Sequence, residues 1–423
     1  MTFSEVCKVY QRDEKFLVLN PLIPSWIVTN INGVLLLKLY AEDKSFESIA
    51  SEFKTFMPDF PPSAIFNFLE HAKKENLFDI PSEEKIYKPG KLKEIYLNIT
   101  DTCNLHCIFC IVGRRIENEK FLTVEDYKKL IDEAMTINSK ISLTFTGGEP
   151  LTSPLTIPVA EYAKKFSLKC SLMTNGTLID EKNVDELTNL FSYFQISIDG
   201  SCAEIHDYYR GKGNFEKSVH AVNLLLSKGA KVNLAMVANK KNLDDVAKAV
   251  EQWGDLIFTQ PIFPFGNEEI YKNLRLSGED YYNLVSKNLQ TDPYAEIISD
   301  IKTHRKNNFL PKCTMGDIEL SISRGGDVFP CPILHHENFK VGNITEKSFA
   351  EIYNSPELEK FKFHTVNNIE GCRDCDFKLI CGGSCQARNF CETGNLDKVG
   401  NFCEYDKLAI VDSIINSAEL QEL

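Results

Sequence analysis

From residue 93 onward the chain alternates between two apolar patterns, and that alternation limits its fold more than any other feature. Strand-like runs at 93–100, 141–147, 169–174, 193–198, 231–238 and 255–263 are separated by helix-period runs at 123–138, 154–166, 180–191, 214–228 and 242–253. Strands separated by helices of this length imply parallel pairing through crossover connections. Six such units predict an α/β fold, a partial (β/α)6 barrel of the TIM type. Chemistry in such barrels gathers in the loops that follow the strands.

The loop after the first run reads Cys103-Asn104-Leu105-His106-Cys107-Ile108-Phe109-Cys110. Three thiolates packed this closely can wrap one iron–sulfur cubane and leave one iron with an open position. A partial zinc site is the plain alternative, but structural zinc takes four protein ligands. Three further motifs follow in order. Thr146-Gly147-Gly148-Glu149-Pro150 follows the second run, where the glycines expose backbone groups and Glu149 can receive an ammonium. Thr174-Asn175-Gly176 follows the third, and Ser197-Ile198-Asp199-Gly200 ends the fourth with acceptors suited to a ribose. Each is an ordinary turn sequence alone. In this order, at successive strand ends, they specify one site.

With these motifs, residues 93–265 resemble the radical S-adenosylmethionine (SAM) enzymes. The resemblance implies that Cys103, Cys107 and Cys110 hold a [4Fe–4S] cluster whose open iron chelates the SAM amino and carboxylate groups. It implies that Gly147, Gly148, Glu149 and Pro150 form the methionine-amino motif, that Ser197 meets the ribose, and that the Phe109 backbone meets the adenine. Arg210, in His206-Asp207-Tyr208-Tyr209-Arg210-Gly211, matches an arginine near the SAM carboxylate. A salt bridge to Asp207 is its other reading. Asp199 either joins the cofactor site or caps the following turn.

A second cysteine field comprises Cys313, Cys331, Cys372, Cys375, Cys381, Cys385, Cys391 and Cys403, with Gly326 ahead of Cys331. Its spacing resembles the seven-cysteine SPASM domain, placed here at 311–410. That resemblance implies two auxiliary clusters, so three [4Fe–4S] clusters in all, with SAM as the other cofactor. Cys372, Cys375, Cys381 and Cys403 would ligate the outer auxiliary cluster. Cys313, Cys331 and Cys385 would ligate the inner one. Cys391 is its fourth ligand, a free thiol or a packing residue. Paired zinc sites are the alternative, since Cys372-x2-Cys375 by itself suits a zinc ribbon. Cys7, Cys170 and Cys202 read as buried small apolar residues, His106 as packed or hydrogen-bonded within its loop, and His335 and His336 as surface residues.

Residues 1–85 carry strand-like runs at 16–20 and 26–30 and three helix starts, near Asn32, Ser45 and Pro61, which suggest a winged-helix-like domain. Nine Lys and Arg against thirteen Asp and Glu there make a poor phosphate binder. The whole chain, at −13, likewise argues against nucleic acid and anionic membranes as partners. The segment resembles the PqqD-like leader-recognition module of peptide-modifying enzymes, in which a precursor's leader adds a strand to the sheet. A structural cap is the other reading. Residues 81–92, with Pro81, Pro89 and Gly90, read as a linker to a barrel domain at 93–310, whose later part predicts helices at 281–289 and 294–306.

No apolar run approaches a membrane span, and clustered cysteines suit the reducing cytoplasm. The domain order resembles that of maturases of ribosomally synthesised peptides. It implies an enzyme that cleaves SAM to a 5′-deoxyadenosyl radical, removes hydrogen from a precursor peptide bearing a leader, and installs a thioether or carbon–carbon cross-link. A reducing donor such as flavodoxin or ferredoxin is the second implied partner. The alternatives are anaerobic sulfatase-maturating-type oxidation of a protein Cys or Ser, oxidation or decarboxylation of a tetrapyrrole, a non-catalytic iron–sulfur electron carrier, and a zinc-dependent regulator.

Overall fold

A computed structural model describes residues 2–42, 44–81, 87–111, 121–263, 268–287, 294, 297–299, 301 and 312–421. The N-terminal unit is an antiparallel sheet of β1 (Lys8–Arg12), β2 (Lys15–Asn20) and β3 (Ser25–Thr29), followed by helices α1 (Ile31–Tyr40), α2 (Phe46–Phe56) and α3 (Pro62–Lys74). Asn30 and Ser45 cap α1 and α2, accepting from Gly33 N at 3.1 Å and Ser48 N at 3.3 Å. β1 escapes the sequence pattern because it is a largely exposed edge strand.

The two faces of this sheet have different fates, because successive strand side chains point opposite ways. Val18 and Ile27 pack on the unit's own helices. Leu17, Leu19, Trp26 and Val28 join the main core of the chain. Polar contacts fasten the same side: Arg12 Nε donates to Asp412 Oδ1 and Tyr10 OH to Asp376 Oδ2, each at 2.7 Å. At the end of β3, Gln421 N donates to Val28 O at 2.9 Å. The unit is therefore built into the rest of the molecule.

All six strand-like runs form parallel strands, in the order β4 (Glu94–Thr100), β5 (Ser142–Gly147), β6 (Lys169–Thr174), β7 (Tyr193–Ser197), β8 (Lys231–Ala238) and β9 (Ile257–Pro261). The crossovers are α4 (Val124–Ile137), α5 (Thr156–Lys164), α6 (Val184–Leu190), the pair α7 (Ala203–Arg210) and α8 (Asn214–Ser227), and α9 (Val246–Trp253). Ile95, Leu97 and Ile99 of β4, with Leu143 and Phe145 of β5, lie in the core. Alternation leaves Tyr96, Asn98, Thr144 and Thr146 on the opposite, inner face.

The sheet also continues beyond β4. β10 (Glu319–Ile322) pairs with β4 in parallel, Ser321 opposite Tyr96, and carries antiparallel β11 (Asp327–Phe329) and β12 (Gly342–Asn343). Strands this short carry too few alternations to be visible in sequence. The described part of the 81–92 stretch is strapped down, with Gly90 N donating to Asp317 Oδ1 at 2.7 Å and Leu92 N to Tyr353 OH at 3.2 Å; residues 82–86 lie outside the described residues. The helix expected at 281–289 is Gly278–Lys287. Of the helix expected at 294–306, positions 297–299 and 301 are helical, 294 lies in a turn, and the others lie outside the described residues, as do 288 and 289. Cys7 and Cys170 are buried as expected, but Cys202 is exposed. Among the described residues no helix is long and apolar enough to cross a membrane.

Candidate functional site

The loop after β4 carries Cys103, Cys107 and Cys110 to the C-terminal edge of the sheet, and three neighbours hold it there. From β5, Gly148 N donates to Thr100 O at 2.7 Å and Glu149 N to Thr102 O at 2.8 Å. A Cβ on Gly147, whose φ is +130°, would stand 2.2 Å from Thr100 O, and one on Gly148 would stand 2.2 Å from Thr102 O. Only glycine permits that approach. After β6, Asn175 Nδ2 donates to Asn104 Oδ1 at 2.9 Å, while Asn175 O accepts from Ser218 Oγ at 2.7 Å. From α7, Tyr209 O accepts from Ile108 N at 3.1 Å.

These loops enclose a cavity of about 250 Å³. The three cysteines and Phe109 line it on one side, and Gly147, Gly148, Ser197 and Arg210 on others. Gln195 and Gln260 also reach it and were not singled out from sequence. Gln195 lies two residues before Ser197 on β7, so both share a face. A polar residue between buried Phe194 and Ile196 was the available signal.

Glu149 and Asp199 are placed otherwise than expected. Both are fully buried, and neither lines the cavity. The Glu149 carboxylate accepts from Thr174 Oγ1 at 2.7 Å, Asn175 N at 2.8 Å and Leu151 N at 3.1 Å. Internal donors occupy it, so it does not stand ready for an ammonium; what this turn turns toward the cavity is the backbone of Gly147 and Gly148. Burial raises the Glu149 carboxyl above the ordinary range, opposed by those same donors. Pro150 is buried behind it, opening the short turn Pro150–Thr152.

Asp199 accepts from Val237 N at 2.9 Å and pairs with Arg210 Nε. Arg210 does not bridge to Asp207, which instead accepts from Phe215 N at 2.8 Å and from Gly213 N at 2.5 Å at the start of α8. Arg210 Nη1 stands 4.0 Å from Cys107 Sγ, and the guanidinium carbon 5.9 Å from the Phe109 ring centroid. Burial raises the Cys107 thiol above its ordinary range, and the charge of Arg210, oriented by Asp199, opposes that shift by favouring thiolate.

His206 lies behind this pair. Its Nδ1 accepts from Asp199 N at 3.2 Å, and its Nε2 is buried with no hydrogen-bond partner among the described residues. Burial lowers its pKa from 6.5 to about 4, with Arg210 acting the same way. The folded chain keeps His206 neutral where the unfolded chain protonates it. Its contribution to stability is therefore complete above about pH 6.5 and is lost as pH falls toward 4, by up to about 3 kcal/mol. Denaturant titrations at neutral and acidic pH should show this loss, and His206→Gln should remove most of it. An equal loss in the variant would place the acid sensitivity elsewhere.

The second cysteine field divides into two groups. Cys372, Cys375, Cys381 and Cys403 line one small cavity with Phe377 and Lys407. Cys381 ends its helix at Gly382, whose φ is +66°. Cys403 opens α11 (Cys403–Ser417), after α10 (Gln386–Thr393), which carries Cys391. Cys313, Cys331 and Cys385 pack elsewhere, in an apolar group with Met315, Phe329 and Phe339. Among the described residues no three His, Cys, Asp or Glu side chains converge on a single-ion site. Donor sets made of thiols suit iron–sulfur clusters. Phe263 and Ile333 belong both to this apolar group and to the wall of the larger cavity, so the two places adjoin.

Two of the histidines depart from expectation. His335 is not a surface residue: it stacks on Phe329 with centroids 4.4 Å apart and bonds Ser321 Oγ at 2.8 Å. His106 is exposed instead of packed, and His336 is exposed as expected.

Two family models match the chain: the Radical SAM superfamily over residues 97–252 and the SPASM iron–sulfur cluster-binding domain over 313–376. An AdoMet-dependent heme synthase of Methanosarcina barkeri is 29% identical over 342 residues, 73% of this chain and 95% of that protein. The antilisterial bacteriocin subtilosin biosynthesis protein AlbA of Bacillus subtilis is 29% identical over 299 residues, 67% of this chain and 65% of AlbA. The crystal structure of Streptococcus suis SuiB bound to its precursor peptide SuiA superimposes with a TM-score of 0.57 at 16% identity, over 95% of this chain and 99% of SuiB. At that identity the likeness is one of fold.

Proposed function

We propose, for a chain that belongs to the radical SAM superfamily and carries a SPASM iron–sulfur domain, that it is a maturase installing an oxidative thioether or carbon–carbon cross-link in a ribosomally synthesised precursor peptide. The observation that carries this reading is the N-terminal sheet built onto the barrel. The likeness to peptide-bound SuiB extends over 95% of the chain, a span that takes in the N-terminal unit. The identity to AlbA supports the same substrate class.

In this reading Cys103, Cys107 and Cys110 hold the SAM-binding [4Fe–4S] cluster. Cys372, Cys375, Cys381 and Cys403 hold the outer auxiliary cluster, and Cys313, Cys331 and Cys385 the inner one. When bound, these groups and SAM supply a 5′-deoxyadenosyl radical that takes a hydrogen atom from substrate, and a path for the second electron. The chain's own part is positioning. Arg210, oriented by Asp199, offers its charge to the SAM carboxylate. The backbone of Gly147 and Gly148 accepts from the amino group, with Glu149 and Pro150 behind them fixing the turn. Ser197 reaches the ribose, and the backbone of Phe109, whose ring is tilted against Tyr209 at 5.3 Å, meets the adenine. Met173, Val237 and Ile262 give the cavity an apolar wall that excludes water from the reacting atoms.

The outer strands β1 and β3 are the edges to which a leader would add, β3 only ahead of Val28, whose carbonyl Gln421 already takes, since an edge offers unpaired ladder groups. A one-electron donor such as flavodoxin or ferredoxin completes the system, in the cytoplasm. The test uses the reconstituted, reduced full-length protein with SAM and a candidate precursor. The expected product has lost two hydrogens per cross-link, and hydrogen exchange should slow at 8–12 or 25–29 when the peptide is added. An unmodified peptide beside turnover of a porphyrin carboxylate would favour tetrapyrrole chemistry, the second reading that the heme synthase identity supports.

A further inference from the structure

The three-stranded N-terminal sheet has two edges, β1 and β3, and their surroundings differ. β3 is buried throughout, each of its five residues being at most 3% exposed. Gln421 N donates to Val28 O at 2.9 Å and Thr29 Oγ1 donates to Gln421 O at 2.6 Å, so a returning segment covers the end of that strand. β1 is open. Lys8, Val9 and Gln11 are exposed, and the register with β2 runs over five pairs with no break and no proline. Breaks and prolines are among the devices that protect an edge from further pairing, and β1 has neither.

The turn after β1 fixes which backbone groups the edge offers. Asp13-Glu14, with Asp13 at φ +51°, joins Arg12 to its partner Lys15 in a two-residue turn. The pair closing such a turn exchanges both ladder bonds. Lys8, Tyr10 and Arg12 therefore direct N–H and C=O to β2, while Val9 and Gln11 direct theirs outward. Among the described residues Val9 N, Val9 O and Gln11 N meet no partner, and Gln11 O takes only Arg12 Nη1 at 3.1 Å.

On its Tyr10 face, β1 borders a groove of about 500 Å³ whose other wall is residues 374–377 and α11. Arg12 pairs with Asp412, Asp376 with Tyr10 and Lys407 with Glu404, at 2.7 Å each. Asp374 is left as the single unpaired charge among the described groove residues. Phe377, Leu408 and Val411 supply apolar wall, and the Tyr10 ring lies 4.9 Å from that of Phe377. Cys375, Phe377 and Lys407 line both this groove and the cavity of the outer cysteine set, so the two adjoin. Cross-strand neighbours share a face, so every second side chain of a strand added to β1 would point into the groove.

We propose that an extended segment of the precursor peptide docks on β1, pairing with the outward groups of Val9 and Gln11 and seating alternate apolar side chains in the groove beside Phe377. The inference rests on the reading of the chain as a peptide maturase, and it assigns the leader to one of the two edges.

The test uses the reconstituted full-length protein and a fluorescein-labelled candidate precursor. Hydrogen exchange in the wild type should slow at the Val9 and Gln11 amides when the precursor is added, with 25–29 unchanged. Val9→Pro removes one outward N–H and no bond between β1 and β2. Its denaturation midpoint should match wild type, while precursor affinity, read by anisotropy, falls by about tenfold or more. Protection at 25–29 with none at Val9 and Gln11, or wild-type affinity in folded Val9→Pro protein, would overturn the assignment to β1 and leave the peptide reading standing. If Val9→Pro does not fold, the exchange experiment on the wild type decides alone. A precursor that the wild type neither binds nor cross-links would overturn the peptide reading, and this inference with it.

Discussion

Cys107→Ala is expected to reduce 5′-deoxyadenosine formation from SAM to background while roughly eight of about twelve irons stay bound. Cys107 sits in the middle of the loop, nearest the Arg210 guanidinium, and the loop is supported by backbone contacts that do not involve its side chain. Its loss should therefore remove one cluster without unfolding the barrel. The seven other cysteines proposed as cluster ligands lie in two separate groups fed by other segments, so their iron should be retained. Product analysis by chromatography and an iron assay on the same preparation read both effects. SAM cleavage that survives the substitution would remove Cys107 from the site, and loss of all iron would mean that the three sets of cysteines are not independent.

Arg210→Met is expected to destabilise the fold by about 3–5 kcal/mol and to abolish measurable SAM binding. The reason lies in Asp199, which is fully buried and would keep the Val237 N hydrogen bond but lose its counter-cation. An uncompensated buried charge costs more than the pair contributes when intact. Adding Asp199→Asn to Arg210→Met should recover much of the stability and none of the SAM affinity. A double-mutant cycle by chemical denaturation, with equilibrium SAM binding alongside, separates the structural from the ligand-facing role. Strict additivity of the two substitutions would show that the pair is not coupled, and retained SAM affinity in Arg210→Met would remove the arginine from the site.

The N-terminal unit shows how structure changes the choice of experiment. Deleting residues 1–85 looks from sequence like a clean removal of a recognition module. In the folded chain it would strip Leu17, Leu19, Trp26 and Val28 from the main core and cut the contacts of Arg12 and Tyr10. Lost processing in such a truncation would report lost packing as readily as lost recognition, which is why peptide-dependent exchange on the intact chain is the better readout.

What the sequence determined by itself was whatever local periodicity and spacing encode. The parallel strands β4–β9 and their crossovers fall within a few residues of the apolar runs, because burial on one face of a helix or both faces of a parallel strand leaves a repeat that a short window contains. The cysteine spacings and the Gly147-Gly148 pair were legible for the same reason, as fixed residues in short loops. Tertiary structure alone decided where side chains at strand ends point and what they meet. Glu149 turned inward to donors from β6, Asp199 took Arg210 in preference to leaving it for Asp207, and His335 went under Phe329. β10 joined β4 across more than two hundred residues of chain, and Cys313, Cys331 and Cys385 came together from distant segments in one apolar group. Those outcomes depend on contacts between residues far apart in sequence, and no local pattern carries a long-range pairing.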